Sequence, residues 1–122
     1  MIEYERHNIS GVPDFRAAEL DARQSDYCLL IPVINEGARI LTELGRAQRA
    51  GVDKLCDIVI CDGGSTDGSM NAETLQLYGV NTLLIKTGPG KQGAQLRMGI
   101  YFALNRGYKG CLLYTSPSPR DP

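Results

Sequence analysis

Three strand-like runs dominate the chain: "YCLLIPVI" (27–34), which is continuously apolar, and "CDIVIC" (56–61) and "VNTLLIK" (80–86), which are largely so. Runs of this length without alternation predict strands covered on both faces. Each is followed by a segment of helical period. After the first, Ile40, Leu41, Leu44 and Ala47 fall on one helix face and Gly51 closes the helix. After the second, "SMNAETLQLYG" predicts a shorter helix ending at Gly79. After the third, "AQLRMGIYFALNRG" predicts a helix with Leu96, Ile100, Ala103 and Leu104 as its apolar stripe, and a fourth strand opening at Tyr108 and Lys109. Residues 1–26 are polar and mixed, broken at Gly11-Val12-Pro13, and read as a lead-in with one short helix. Alternating buried strands and amphipathic helices predict an α/β fold, with right-handed crossovers and a parallel sheet.

Ligands of such sheets bind beyond the carboxyl ends of the strands. The most polar, glycine-rich segments fall at those ends: "NEG" after the first strand, "DGGSTDG" after the second, "GPGKQG" after the third. Asp62 ends a buried run, where a carboxylate is costly unless it faces solvent, a donor or a ligand. It is thereby expected at the rim of the sheet, facing a ligand. Ser65, Thr66 and Asp67 also suit plain turn and capping chemistry. Asn35 and Glu36 suit helix capping as well as ligand contact. Pro32 within a buried strand requires that ladder pairing end beside it. "GPGKQG" fits G-x-G-x-x-G, but it follows the third strand and has no acidic residue about 20 positions on outside the C-terminal tail. It reads equally as a strand-to-helix turn and as a basic loop that sets Lys91 near a diphosphate.

Composition narrows the classes. At 122 residues, 43% hydrophobic and a net charge of −1, the chain has the make-up of one ordinary globular domain. Near-neutral charge argues against nucleic acid or anionic membrane as partner. Four cysteines without CxxC spacing predict buried free thiols in a reducing compartment. His7 is the single histidine, so no His-based triad or multi-His metal site can be assembled within this chain. No apolar run has the length of a membrane span, and "MIEYERHNIS" lacks a signal-peptide core, so the sequon Asn8-Ile9-Ser10 is expected to be fortuitous.

The tail "CLLYTSPSPRDP" changes composition abruptly. It resembles the in-frame translation of a transposase-type sequencing-library adaptor. Residues 111–122 are therefore expected to be non-native, leaving 27–110 as an incomplete domain behind the 1–26 lead-in. "CLLYT" is nonetheless strand-prone by composition and can enter a sheet.

Together, "LLIPVINEGARI", "DIVICDGGSTDGS" and "KTGPGKQGAQLRMGIYFALNRGYKG" resemble the start of an inverting glycosyltransferase of family 2. The resemblance spans residues 27–110. It implies a Rossmann-like GT-A three-layer sandwich, cut off after about three strand–helix units. It further implies that Pro32, Asn35 and Glu36 meet the base and ribose of a nucleotide-sugar, and that Asp62 accepts from a uracil-type ring N–H. Gly63, where the family more often has a second aspartate, lets the backbone approach, while Ser65 and Asp67 hold the loop. Lys91 and Arg97 reach the diphosphate. The implied donor is a nucleotide-diphospho-sugar, and the acceptor is of a kind such as a polyprenyl phosphate or a glycan. Mg²⁺ or Mn²⁺ belongs to the full-length parent, on an Asp-x-Asp-like pair expected past Gly110. The catalytic base lies further on, so neither metal nor catalytic residues are expected in this chain. A cytoplasmic protein, membrane-associated through later segments, is the implied setting. Two other readings stand beside this one. The first is a non-catalytic nucleotide-binding or receiver-like α/β module. The second is a nucleotidyltransferase, which would want a basic glycine-rich signature where "IPVINEG" is acidic.

Overall fold

In the computed structural model, residues 2–5 and 11–114 are described; His7, the sequon at 8–10 and the tail beyond Tyr114 lie outside the described residues. The chain runs β1 (Ile2–Glu5), β2 (Phe15–Glu19), β3 (Tyr27–Val33), α1 (Ala38–Arg49), α2 (Val52–Leu55), β4 (Asp57–Asp62), α3 (Ala72–Leu77), β5 (Val80–Lys86), α4 (Gln92–Asn105) and β6 (Gly110–Leu113). The three apolar runs become β3, β4 and β5. They lie at the centre of a six-stranded mixed sheet in the order β1-β2-β5-β4-β3-β6, in which β5, β4, β3 and β6 are parallel. The chain steps from β3 to β4 to β5, then returns through α4 to the other side of β3. This reversal is the topological switch point of a Rossmann-like α/β sheet, and it falls at the carboxyl end of β3.

The return also sends α4 to one face of the sheet and α1 with α3 to the other. One core cluster gathers Leu30, Val59, Cys61, Leu84, Met98 and Phe102; the second gathers Ile31, Val33, Ile58, Ile60, Leu83, Leu75, Ile40 and Leu44. Alternate residues of each strand serve alternate faces, and all six residues of β4 are buried. The first turn of α3 is capped by Asn71, whose side chain accepts from the Thr74 N–H at 3.0 Å. Arg46 and Arg49 sit in the last turn of α1, where cations complement the helix dipole.

Three expectations are corrected. The lead-in forms no helix among the described residues. Phe15–Glu19 is instead a strand, pairing antiparallel with β5 from Phe15↔Lys86 to Glu19↔Thr82. "FRAAE" has weak strand propensity, but burial of Phe15, Ala17 and Ala18 on the open side of β5 decides the matter. Second, the stripe on α4 is rotated. Of the expected stripe Ala103 is buried, but Ile100 and Leu104 are 38% and 69% exposed, and Ala94, Gln95, Met98, Gly99 and Phe102 complete the buried face instead. Close approach decides this face: a Cβ on Gly99 would lie 2.6 Å from Cys61 Sγ and 3.1 Å from Leu30 Cδ1. Third, the fourth strand starts at Gly110, while Tyr108 turns into the core. The strand-prone start of the tail, Cys111–Leu113, thus takes the place beside β3.

Buried Asp57 stitches the amino ends together. Its Oδ2 accepts from the Gln24 N–H at 2.9 Å and from the Tyr108 hydroxyl at 2.7 Å. Burial, with the Asp57 carboxylate next, pushes the Tyr108 phenol up. The cysteines are free thiols, Cys28, Cys56 and Cys61 buried and Cys111 half-buried. Burial pushes the Cys61 thiol up to about 12; in the unfolded chain it ionises near its ordinary value of about 8.5. Above that ordinary value the unfolded state holds fewer protons than the native state, so stability falls as pH rises. Under reducing conditions, the unfolding free energy from urea titration is expected to decline above about pH 9, by up to about 1.4 kcal/mol per pH unit for each such thiol, and the midpoint with it. The slope should be shallower in Cys61→Ala; an unchanged midpoint up to pH 11 would contradict the burial.

Candidate functional site

The loops after β3 and β4 leave the sheet side by side and are laced together. Leu30 accepts from the Tyr114 N–H at 2.9 Å on the β6 side. By alternation Pro32 turns its imide nitrogen to that side too. There β6 has already ended, Leu113 lying opposite Leu30. The missing N–H of Pro32 therefore costs no ladder bond. Val33 turns the other way, and its carbonyl accepts from the Gly63 N–H at 2.8 Å.

Asn35 adopts a left-handed conformation with φ 46°, which asparagine tolerates better than most residues. Its N–H donates to Ser65 Oγ at 2.9 Å, and its Oδ1 accepts from the Thr66 N–H at 2.8 Å. The Gly37 N–H, at the entrance to α1, donates to Asp67 Oδ2 at 3.1 Å. The Ser69 hydroxyl, with its N–H, holds the Asp67 carboxyl below the usual carboxylate range.

Asp62 does not do what its position predicts. Its residue is 1% exposed, so the carboxylate does not stand at the rim. Oδ2 accepts from the Gly64 and Ser65 N–H groups at 3.1 and 2.9 Å, and Oδ1 from the Ser65 hydroxyl at 2.5 Å. Three donors from two residues, Gly64 and Ser65, with Gly64 at φ 101°, curl the loop back over the carboxylate. The expectation of an acceptor facing a ligand base is corrected to that of a brace. Ser65 extends the brace to the first loop, since its Oγ both donates to Asp62 and accepts from Asn35.

The open space lies on the α4 side of these loops. A cleft of about 340 Å³ is lined by Pro32, Val33, Ile34, Glu36, Gly63, Gly90, Lys91, Gln92 and Gln95. Of the residues singled out from sequence, Pro32, Glu36, Gly63 and Lys91 meet here; Asn35, Ser65 and Asp67 shape its wall from behind. Arg97 does not join them. It lies on the outward side of α4, and its Nε donates to the Gly11 carbonyl in the lead-in. Glu36 and Lys91 bring opposite charges to one cleft from two different loops.

Sequence reasoning missed Gln95. It is 4% exposed, and its Nε2 donates to the carbonyls of Val33 at 2.9 Å and Cys61 at 2.8 Å, tying α4 to the ends of β3 and β4. A Cβ on Gly63 would sit 2.9 Å from Gln95 Cδ. Glycine at 63 leaves room for the amide that packs over it, which a side chain there would force to shift. The available signal was a polar residue beside Ala94 and one turn before Met98 and Gly99, on the helix face that residues of small volume mark out.

A larger hollow of about 400 Å³ opens at the other end of the sheet, bordered by Asp21, Asp53, Asp57, Gln76 and Asn81. Asp53 Oδ1 is buried there without a hydrogen-bond partner among the described residues. It lies at the amino ends of β4 and β5, away from the converging loops, so the smaller cleft is the better candidate. No helix among the described residues is long and apolar enough to cross a membrane. Compared with known proteins, the chain matches no family model, no curated protein and no solved structure.

Proposed function

We propose that this chain is the donor-binding half of an inverting family 2 glycosyltransferase with a GT-A fold. In this reading the cleft holds the diphosphate and nucleoside of a nucleotide-sugar. One observation carries it: the first and third motifs, far apart in sequence, supply Glu36 and Lys91 to one cleft at the carboxyl ends of parallel strands. Glu36 suits ribose hydroxyls, which donate to a carboxylate. Lys91 stands at the N-cap of the 14-residue helix α4, whose first turn has no acidic residue and no side-chain cap. A diphosphate there meets both the ammonium and the positive end of the helix dipole.

The reading leaves the chemical step to residues beyond this chain. Among the described residues no group of three or more His, Cys, Asp or Glu side chains is placed so as to hold a metal ion, and Glu36 is the one carboxylate bordering the cleft. That set does not make a divalent-cation site. In the parent, Mg²⁺ or Mn²⁺ on an Asp-x-Asp-like pair past Gly110 would assist departure of the diphosphate, with an acidic base activating the acceptor hydroxyl. Residues 111–122 are read as adaptor-derived in this proposal, with β6 standing in for the parent's fourth strand.

Calorimetric titration tests the binding half of the reading. The chain is expected to bind UDP or GDP weakly and to transfer no sugar. Lys91→Ala should weaken the diphosphate about tenfold while leaving the free nucleoside unchanged, the size of one charge-assisted contact. Equal affinity of the wild type and Lys91→Ala for the diphosphates would overturn it.

A further inference from the structure

The cleft has a floor, and its chemistry is one-sided. Both hydrogens of the Gln95 amide are committed, to the carbonyls of Val33 and Cys61 at 2.9 and 2.8 Å. Two carbonyl acceptors on the same nitrogen fix which way round the amide sits, so its oxygen cannot exchange places with it. That oxygen takes no hydrogen bond among the described residues. The residue is 4% exposed and borders the cleft. Among the described residues Asp53 Oδ1 alone is a fully buried, unpartnered side-chain atom, so Gln95 Oε1 is not completely sealed, on a residue that lines the cleft. Gly63 keeps the amide in place, since a Cβ there would lie 3.0 Å from Oε1 and 3.1 Å from Nε2.

We propose that Gln95 Oε1 is the floor acceptor of the cleft, taking a hydrogen bond from an N–H or O–H on the nucleoside part of a bound nucleotide. The proposal rests on the nucleotide reading above. Gln95 lies four residues, about 6 Å of helix rise, beyond Lys91. A ligand that satisfies both carries an anion near the ammonium and a donor one turn further along α4. A nucleoside diphosphate has that make-up, with its ribose hydroxyls and base N–H groups beyond the phosphates. Because the amide can only accept here, a group presenting a lone pair to the floor is rejected, and selectivity follows from the unpaired oxygen. The acceptor role that sequence gave to Asp62 passes to a residue on α4.

The test is an affinity cycle with UDP, N3-methyl-UDP, 2′-deoxy-UDP and 3′-deoxy-UDP, measured on the whole chain and on Gln95→Met. One analogue is expected to bind the wild type about tenfold more weakly than UDP, and that penalty to shrink below about threefold in Gln95→Met. The analogue affected tells whether base or ribose supplies the donor. Penalties that persist unchanged in Gln95→Met, or analogues that all match UDP on the wild type, overturn the proposal while leaving nucleotide binding intact. Failure of UDP itself to bind overturns the nucleotide reading, and this proposal with it. Should Gln95→Met not fold, Gly63→Ala keeps the glutamine and displaces its amide. It is expected to erase the same penalty, and a wild-type pattern of affinities in Gly63→Ala contradicts the role.

Discussion

Asp62→Ala is expected to lower stability by about 2–4 kcal/mol and to remove nucleotide binding. The substitution strands the Gly64 and Ser65 N–H groups and the Ser65 hydroxyl, which converge on the carboxylate at 2.5 to 3.1 Å. Unmade hydrogen bonds to a buried charged acceptor cost about 1–3 kcal/mol each, and partial rescue by solvent at this loop sets the lower figure. The damage spreads, because Ser65 also accepts from Asn35 and so holds the loop after β3. With both loops loosened, Glu36 and Gly63 lose their fixed relation, and affinity should drop well beyond the factor expected for Lys91→Ala. Denaturant titration together with UDP binding checks this. A carboxylate that merely touched the ligand would give the opposite pattern: lost binding with stability unchanged within about 0.5 kcal/mol.

The second large effect distinguishes the two faces of α4. Phe102→Ala is expected to cost about 3–5 kcal/mol, the range for emptying a fully packed aromatic site. Phe102 is 2% exposed among Leu30, Cys61 and Met98, and the Arg106 guanidinium lies 4.6 Å from its ring centroid. Leu104→Ala, at 69% exposure, should change stability by less than about 0.5 kcal/mol. Hydropathy alone ranks the two the other way, since Leu104 belongs to the stripe the sequence suggests. Comparable losses from both substitutions would mean that α4 sits on the sheet in a different rotation.

That contrast shows what the sequence makes legible. β3, β4 and β5 are readable because central strands buried on two faces need largely apolar runs, and "CDIVIC" and "VNTLLIK" have few other uses. Their helices follow from the glycines at 51 and 79, both with positive φ. Which face of α4 meets the sheet is not readable from apolar count, because Gly99 and Ala103 fix it by closeness of approach. The strand at Phe15–Glu19 is hidden for a related reason: its pairing with β5 is long-range, and local propensity does not contain it. At the site, the position of Asp62 at the end of β4 is legible but its direction is not. Direction depends on where Ser65 and Gly64 turn their donors. Beyond its place beside Ala94 and one turn before Met98 and Gly99, nothing marks Gln95 as a site residue until Val33 and Cys61 are brought beneath it.

The most direct measurement is a map of amide chemical shifts on the isotopically labelled chain as UDP is added. Shifts gathered at Val33 to Glu36, at Gly63 and along Gly90 to Gln95 are the predicted result. Shifts confined to the hollow around Asp21, Asp53 and Asp57, or none at millimolar UDP, would contradict the placement of a nucleotide between β3 and α4.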